Sequence, residues 1–285
     1  MTPSTFIIEQ GALGPLHVDV YRANAAAPAP AVILLHGFKG FRQWGFLPEV
    51  ARRLAISGLH IVAIDLSGNG MRGSSDAVVD TEAFRQQTIS ADVNDVMQVL
   101  AWLELSGRSN EILGETWDSR LHFVGHSRGA ALALVVASEL STSVKRLSLG
   151  RLVLLNSIGT YVRWTPRQRS VWESQGSVDI ENARTGQHLA MGFQYVLDME
   201  QNPQRFNLVV AAQNLAGRLR FVHAEQDVTV PLKEIQSLLD QVHQADALVR
   251  IPNTGHTFGI EHPFRQSTAA FDNAMAHTTQ WLLQE

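Results

Sequence analysis

The stretch from 121 to 136 constrains the fold more than any other part of the chain. Leu121-His122-Phe123-Val124 is a short apolar run of the kind that a sheet buries. Gly125-His126-Ser127-Arg128-Gly129 interrupts it, and Ala130-Ala131-Leu132-Ala133-Leu134-Val135-Val136 continues as a helix former. A strand that turns into a helix within five residues forces two backbones together, and glycines on either side of the turn residue remove the Cβ atoms that would collide. Ser127 is therefore expected at the tip of the turn, with its hydroxyl pointing out of the sheet. The N–H of Arg128 then lies free at a helix N-terminus, where negative charge is favoured. The string reads as a nucleophile beside half of an anion site.

The rest of the chain supplies a sheet for that turn. Runs at 6–9 and 17–21 flank Gly11-Ala12-Leu13-Gly14-Pro15 and predict an N-terminal hairpin. After an Ala/Pro-rich link at 23–31, apolar strands are expected at 32–35, 61–64, 121–124, 152–155, 219–222 and 248–251. Between them lie helical spacings: Leu47, Val50, Ala51 and Leu54; Val93, Val96, Met97 and Leu100; the run 130–140; Ile235, Leu238, Leu239 and Val242; and a closing helix at 268–283. Alternating strands and helices predict an α/β fold with a mostly parallel central sheet flanked by helices on both faces. The stretch 160–216 breaks the alternation. It is rich in Arg, Gln and Asn, carries Trp164, Trp172, Phe193 and Tyr195, and is expected to be a small cap inserted into a single domain spanning 1–285.

Composition narrows the function classes. With 45% hydrophobic and 18% charged residues over 285 positions, a sizeable core needs no staples. A net charge of -4 gives no reason to expect nucleic acid or an anionic membrane as a partner. The absence of cysteine excludes disulfides, thiolate metal sites and a cysteine nucleophile. Met1-Thr2-Pro3-Ser4-Thr5 does not open a signal peptide, and no apolar run approaches the ~20 residues that span a bilayer, so a cytoplasmic protein is expected.

A serine hydroxyl needs a base, and a histidine base needs an acid to fix its tautomer. The strand at 219–222 runs into a loop holding Asp227, and the strand at 248–251 into one holding His256. Loops at the C-terminal ends of parallel strands gather on one edge of such a sheet, so Ser127, Asp227 and His256 can converge. His262 is an alternative base by proximity in sequence. Gly68-Asn69-Gly70-Met71-Arg72-Gly73 matches a dinucleotide-binding fingerprint, with Asp92 near the ribose-binding distance. That fingerprint requires a helix opening inside the glycine loop, whereas here the loop runs on through Ser74-Ser75-Asp76 and helical spacing begins only after Thr81. No His, Asp or Glu spacing suggests a metal.

At this point the chain resembles the α/β-hydrolase superfamily over nearly its full length. The resemblance rests on Gly125-His126-Ser127-Arg128-Gly129, on His36-Gly37-Phe38, on Asp65-Leu66-Ser67-Gly68-Asn69-Gly70, and on the Asp227 and His256 loops. Within the superfamily it is similar to esterases related to the dienelactone hydrolase and prolyl oligopeptidase groups, although Ala130 stands where many relatives have a further Gly. The resemblance implies a cofactor-free serine hydrolase acting on a small-molecule ester, with the backbone N–H groups of Phe38 and Arg128 as the oxyanion hole. It leaves open a peptidase or amidase of the same fold and a non-catalytic binding protein. Lys39, Phe41, Arg42 and Trp44, which follow the oxyanion segment, and Trp164, Trp172, Phe193 and Tyr195 are candidates to line the substrate pocket. For Arg128, a cation at a helix N-terminus, an ion pair with Asp65 is expected.

Overall fold

The computed structural model describes residues 1–25, 27–74, 76–104, 108–142 and 147–284; Ala26 of the link and Ser75 of the glycine loop lie outside them. The chain opens with strands β1 (Ser4–Ile8) and β2 (Leu16–Tyr21), paired antiparallel as the hairpin pattern predicts. Then come β3 (Ala29–Leu35), helix α1 (Leu47–Ile56), β4 (His60–Asp65), α2 (Thr81–Gln86), α3 (Ile89–Glu104), α4 (Arg108–Leu113), β5 (Trp117–His126), α5 (Arg128–Ser141) and β6 (Ser148–Leu155). Beyond β6 lie α6 (Pro166–Gln175), the antiparallel pair β7 (Ser177–Asn182) and β8 (Gln187–Gly192), α7 (Gln194–Gln201) and α8 (Leu208–Asn214). The chain ends with β9 (Leu219–Ala224), α9 (Leu232–Val242), β10 (Leu248–Ile251) and α10 (Ala269–Leu282).

Eight strands form one sheet in the order β1-β2-β4-β3-β5-β6-β9-β10. All pairings from β4 to β10 are parallel, and only the β1–β2–β4 edge is antiparallel. Because both faces are covered, the central strands carry apolar residues on both sides, and these side chains alternate between two cores. Ile33, Leu35, Phe123 and Phe221 join α3, α5, α8 and α9 on one face. Val32, Leu34, Val124 and Val222 join α1 and α10 on the other. Helix α5 is the middle of the first core: Leu132, Ala133, Leu134, Val135 and Val136 are all buried, which explains a helix with no polar stripe.

The segment between β6 and β9 that defeated the alternation has ordinary local signals. Thr165 caps α6 through a reciprocal capping box with Gln168, Pro166 occupies the first turn, and Gly176 closes the helix in the left-handed region. Helix α8 packs against α5 and α9. No helix among the described residues is long and apolar enough to cross a membrane.

Candidate active site

Strand β5 delivers Ser127 to the site in a backbone conformation that few residues tolerate, with φ 56° and ψ -121° at the N-cap of α5. Such geometry costs on the order of 1–3 kcal/mol and persists only where the surroundings over-determine it. The flanking glycines do so. A Cβ on Gly125 would stand 2.4 Å from the carbonyl oxygen of Gly129, and one on Gly129 would stand 2.2 Å from the carbonyl oxygen of His36. The helix thus sits hard against the ends of β5 and β3. Gly37 presses on the same turn, where a Cβ would lie 3.1 Å from that of Ser127. The residues after β3 therefore flank the serine, and Phe38 is packed with its ring 4.8 Å from the Arg128 guanidinium. The Arg128 N–H, first in α5, has no intrahelical acceptor.

The loops after β9 and β10 zip together through Glu225 N–H to the Ile251 carbonyl (2.9 Å) and Gln226 N–H to the Thr254 carbonyl (3.0 Å). This zip brings Asp227 and His256 into contact, with Nδ1 of His256 2.7 Å from Oδ2 of Asp227. The other carboxylate oxygen accepts the N–H groups of Thr229 and Val230, each at 2.9 Å. Burial pushes the Asp227 carboxyl up, but the His256 hydrogen bond and charge and the Val230 N–H outweigh it, so the group ends below the usual range. A carboxylate that accepts from Nδ1–H leaves the Nε2 lone pair of His256 free to take a proton.

Two residues fix the histidine from behind: His126 of the serine turn, and Asn156, which sequence reasoning did not single out. The His256 carbonyl accepts hydrogen bonds from Asn156 Nδ2 at 2.7 Å and from His126 Nε2 at 3.0 Å. Asn156, fully buried at the end of β6 with φ 44°, also accepts the Ala224 N–H at 2.7 Å and so ties β6, β9 and the His256 loop into one unit. Its signal in the sequence was faint: an Asn directly after an apolar strand, a residue type that tolerates the left-handed region. His262, the alternative base, instead accepts the Gly45 N–H at 2.9 Å and faces Asp76 at 3.1 Å.

Ser127 forms part of the wall of a cavity of about 550 Å³. Of the pocket candidates, Trp164, Trp172 and Tyr195 line it. They form one aromatic cluster in which Trp172 stacks on Tyr195 (6.2 Å, 9°) and meets Trp164 edge-on, while Trp172 Nε1 donates to the Met191 carbonyl at 2.9 Å. Lys39, Trp44 and Phe193 are not in the lining. Lys39 reaches away to the Glu181 carbonyl, 2.7 Å distant. Trp44 stacks flat on His126 and so supports the serine turn from beneath. Phe193 caps α7 under the guanidinium of Arg169. Phe41 is wholly buried, and Arg42 is spent in an ion-pair cluster with Asp19 and Asp65.

That cluster corrects the expected partner of Arg128. Asp65 is held by the side chain and N–H of Arg42, whereas Arg128 meets Asp92 at 3.2 Å and donates to Gln87 Oε1 at 2.8 Å. Asp92 is therefore an ion-pair residue inside the core rather than a ribose ligand. Burial drives its carboxyl up to about 7, against the attraction of Arg128. The glycines at 68 and 70 shape a tight 3-10 turn over Ser67–Asn69 with no long helix at its start.

Comparison with known proteins gives a consistent result. A family model described as the alpha/beta hydrolase family matches residues 32–270. No curated protein matches the chain. Among solved structures, Est1E from Butyrivibrio proteoclasticus superposes with a TM-score of 0.66 at 14% identity, covering 98% of this chain and 99% of that one. A soluble variant of monoglyceride lipase from Saccharomyces cerevisiae, in complex with a substrate analog, gives 0.69 at 13% identity over 99% and 96%. A dienelactone hydrolase from Anabaena variabilis gives 0.56 at 15% identity over 99% and 97%.

Proposed function

Because this chain belongs to the alpha/beta hydrolase family, we propose that it is a serine hydrolase that cleaves carboxylic esters of small or medium acyl groups through an acyl-enzyme on Ser127. The observation that carries this reading is Ser127 itself, held in a strained turn at the head of α5 and lining the wall of the cavity. His256 Nε2 takes the proton as Ser127 Oγ attacks the acyl carbon, and Asp227 steadies the imidazolium without itself being protonated. The N–H groups of Phe38 and Arg128 receive the negative charge that develops on the carbonyl oxygen; one such donor is worth on the order of 10²–10³ in rate. The intermediate collapses as His256 returns its proton to the departing alkoxide. Water, activated by the same nitrogen, then releases the acid and frees Ser127.

In this reading 160–216 serves as a cap, with Trp164, Trp172 and Tyr195 closing the cavity over the serine. The protein then acts in the cytoplasm on a small molecule rather than on nucleic acid. An ester is favoured over an amide because an alkoxide leaves with far less help from a proton donor than an amine does. The test is intact-protein mass spectrometry after fluorophosphonate treatment, together with hydrolysis of p-nitrophenyl esters of increasing acyl length and of matched anilides. Single labelling that Ser127→Ala abolishes, with esters turned over well ahead of anilides, is the expected result. Comparable rates on anilides would favour an amidase, and an unlabelled, inactive protein would leave a ligand-binding role.

A further inference from the structure

We propose that the cavity beside Ser127 contains a built polar subsite, formed by Tyr161 with Arg128, that receives an uncharged hydroxyl or keto oxygen carried by the acyl group. The proposal rests on the esterase reading and names the class of acyl group that the site takes.

Tyr161 lies in the cavity wall and is buried, and its hydroxyl has no hydrogen-bond partner among the described residues. Buried hydroxyls are rarely left unpaired, because desolvation without a replacement bond is costly. The ring is not free to swing the hydroxyl elsewhere, since Phe206 packs edge-on against it at 6.1 Å. Arg128 lines the same cavity and is buried like Tyr161. Its guanidinium is fixed by Gln87, Asp92 and the face of Phe38. Around these groups Ile158, Val178, Ile180 and Met191 make the buried and half-buried wall apolar, whereas Arg163, Arg167, Gln168 and Gln175 line the cavity as solvent-exposed residues, Arg163 held by Glu234.

That contrast selects the ligand. A plain methylene chain would fill the apolar volume and leave the Tyr161 hydroxyl unpaired. A carboxylate would have to shed its water into apolar walls and compete with Asp92 for Arg128. An uncharged oxygen on an otherwise apolar chain satisfies the phenol at no such cost. The group concerned is the acyl part, because it stays bonded to Ser127 in the cavity wall while the alcohol departs.

The experiment compares p-nitrophenyl esters of one chain length, either unsubstituted or bearing a hydroxyl or keto oxygen at successive positions. Wild-type protein is expected to favour one position by about 10-fold or more in kcat/KM. Tyr161→Phe should erase that preference while leaving the plain ester unchanged or improved, with an unaltered or raised melting temperature. Equal effects of the variant on both esters, or no favoured position in the wild type, would overturn the subsite. The corresponding N-methyl amides, titrated calorimetrically into Ser127→Ala protein, read the same contrast without turnover. A hydroxylated amide that binds more tightly there keeps the subsite even where no ester is cleaved, and equal affinities reject it.

Discussion

Asp92→Asn tests which effect governs the buried pair behind the serine turn. Loss of hydration disfavours the charge on Asp92, the nearby Asp95 and Asp198 carboxylates add to that, and the Arg128 guanidinium 3.2 Å away favours it. Burial wins, and the carboxyl is raised from 3.8 to about 7. A carboxyl that holds its proton more tightly when folded contributes stability that is fully present below 3.8 and is lost as pH rises through 7. At about 1.36 kcal/mol per unit the full swing is roughly 4 kcal/mol, and about 3 kcal/mol of it falls between pH 5 and pH 8. Asparagine keeps the shape and does not titrate. The assay is urea unfolding of both proteins at pH 5, 6, 7 and 8, taking the difference in stability at each pH so that other titrations cancel. The difference should move in favour of the Asn variant by about 3 kcal/mol across that range and flatten above pH 8. A constant difference would refute the argument, as would one moving the opposite way, which is the behaviour of a carboxylate that Arg128 has stabilised outright.

Gly129→Ala places a methyl group 2.2 Å from one backbone carbonyl and 2.7 Å from another, neither of which can move without shifting β3, so we expect a loss of about 3 kcal/mol or more in urea unfolding; a wild-type midpoint would mean that α5 sits farther from β3. Asn156→Ala leaves the Ala224 N–H buried without its acceptor and removes one of two hydrogen bonds on the His256 carbonyl. It should cost about 2 kcal/mol of stability and lower kcat more than KM, and a variant with unchanged kcat would show that His126 alone suffices to hold the base.

What could be read from the sequence was whatever depends on local pattern. The alternation of apolar runs located the parallel sheet, and two glycines around Ser127 located the turn, because a close backbone approach leaves its mark at the very residues that make it. The contact between Asp227 and His256 followed from strand order. Partnerships set by packing direction did not follow. Arg128 and Asp65 both lie at strand ends near the site, but their side chains point to different neighbours, and a one-dimensional reading has no means of separating Asp92 from Asp65 as the counterion. Trp44 illustrates the same limit: aromatic rings suit a pocket wall and a core equally, and only the stack on His126 decides. The stretch 160–216 hid its hairpin because the alternation is short, with only Val178 and Ile180 in β7 and Leu189 and Met191 in β8 as large apolar positions.

The histidines make the point about chemistry. Eleven are present, and three of those nearest the core are kept neutral by burial: His36 and His122 are lowered to about 4, and His126 to about 3. For His126 the neutrality has a consequence at the proposed base, since its ring lies 4.7 Å from that of His256. Were both rings charged, their repulsion at an effective dielectric constant near 20 would be about 3–4 kcal/mol, enough to slow by a few hundred-fold any step that forms the His256 imidazolium. Burial of His126 under Trp44 and Phe46 removes that opposition while its Nε2–H still anchors the His256 carbonyl. Trp44, which looks in sequence like a pocket residue, therefore serves the proposed chemistry from the other side, by helping to keep the neighbouring imidazole buried and uncharged.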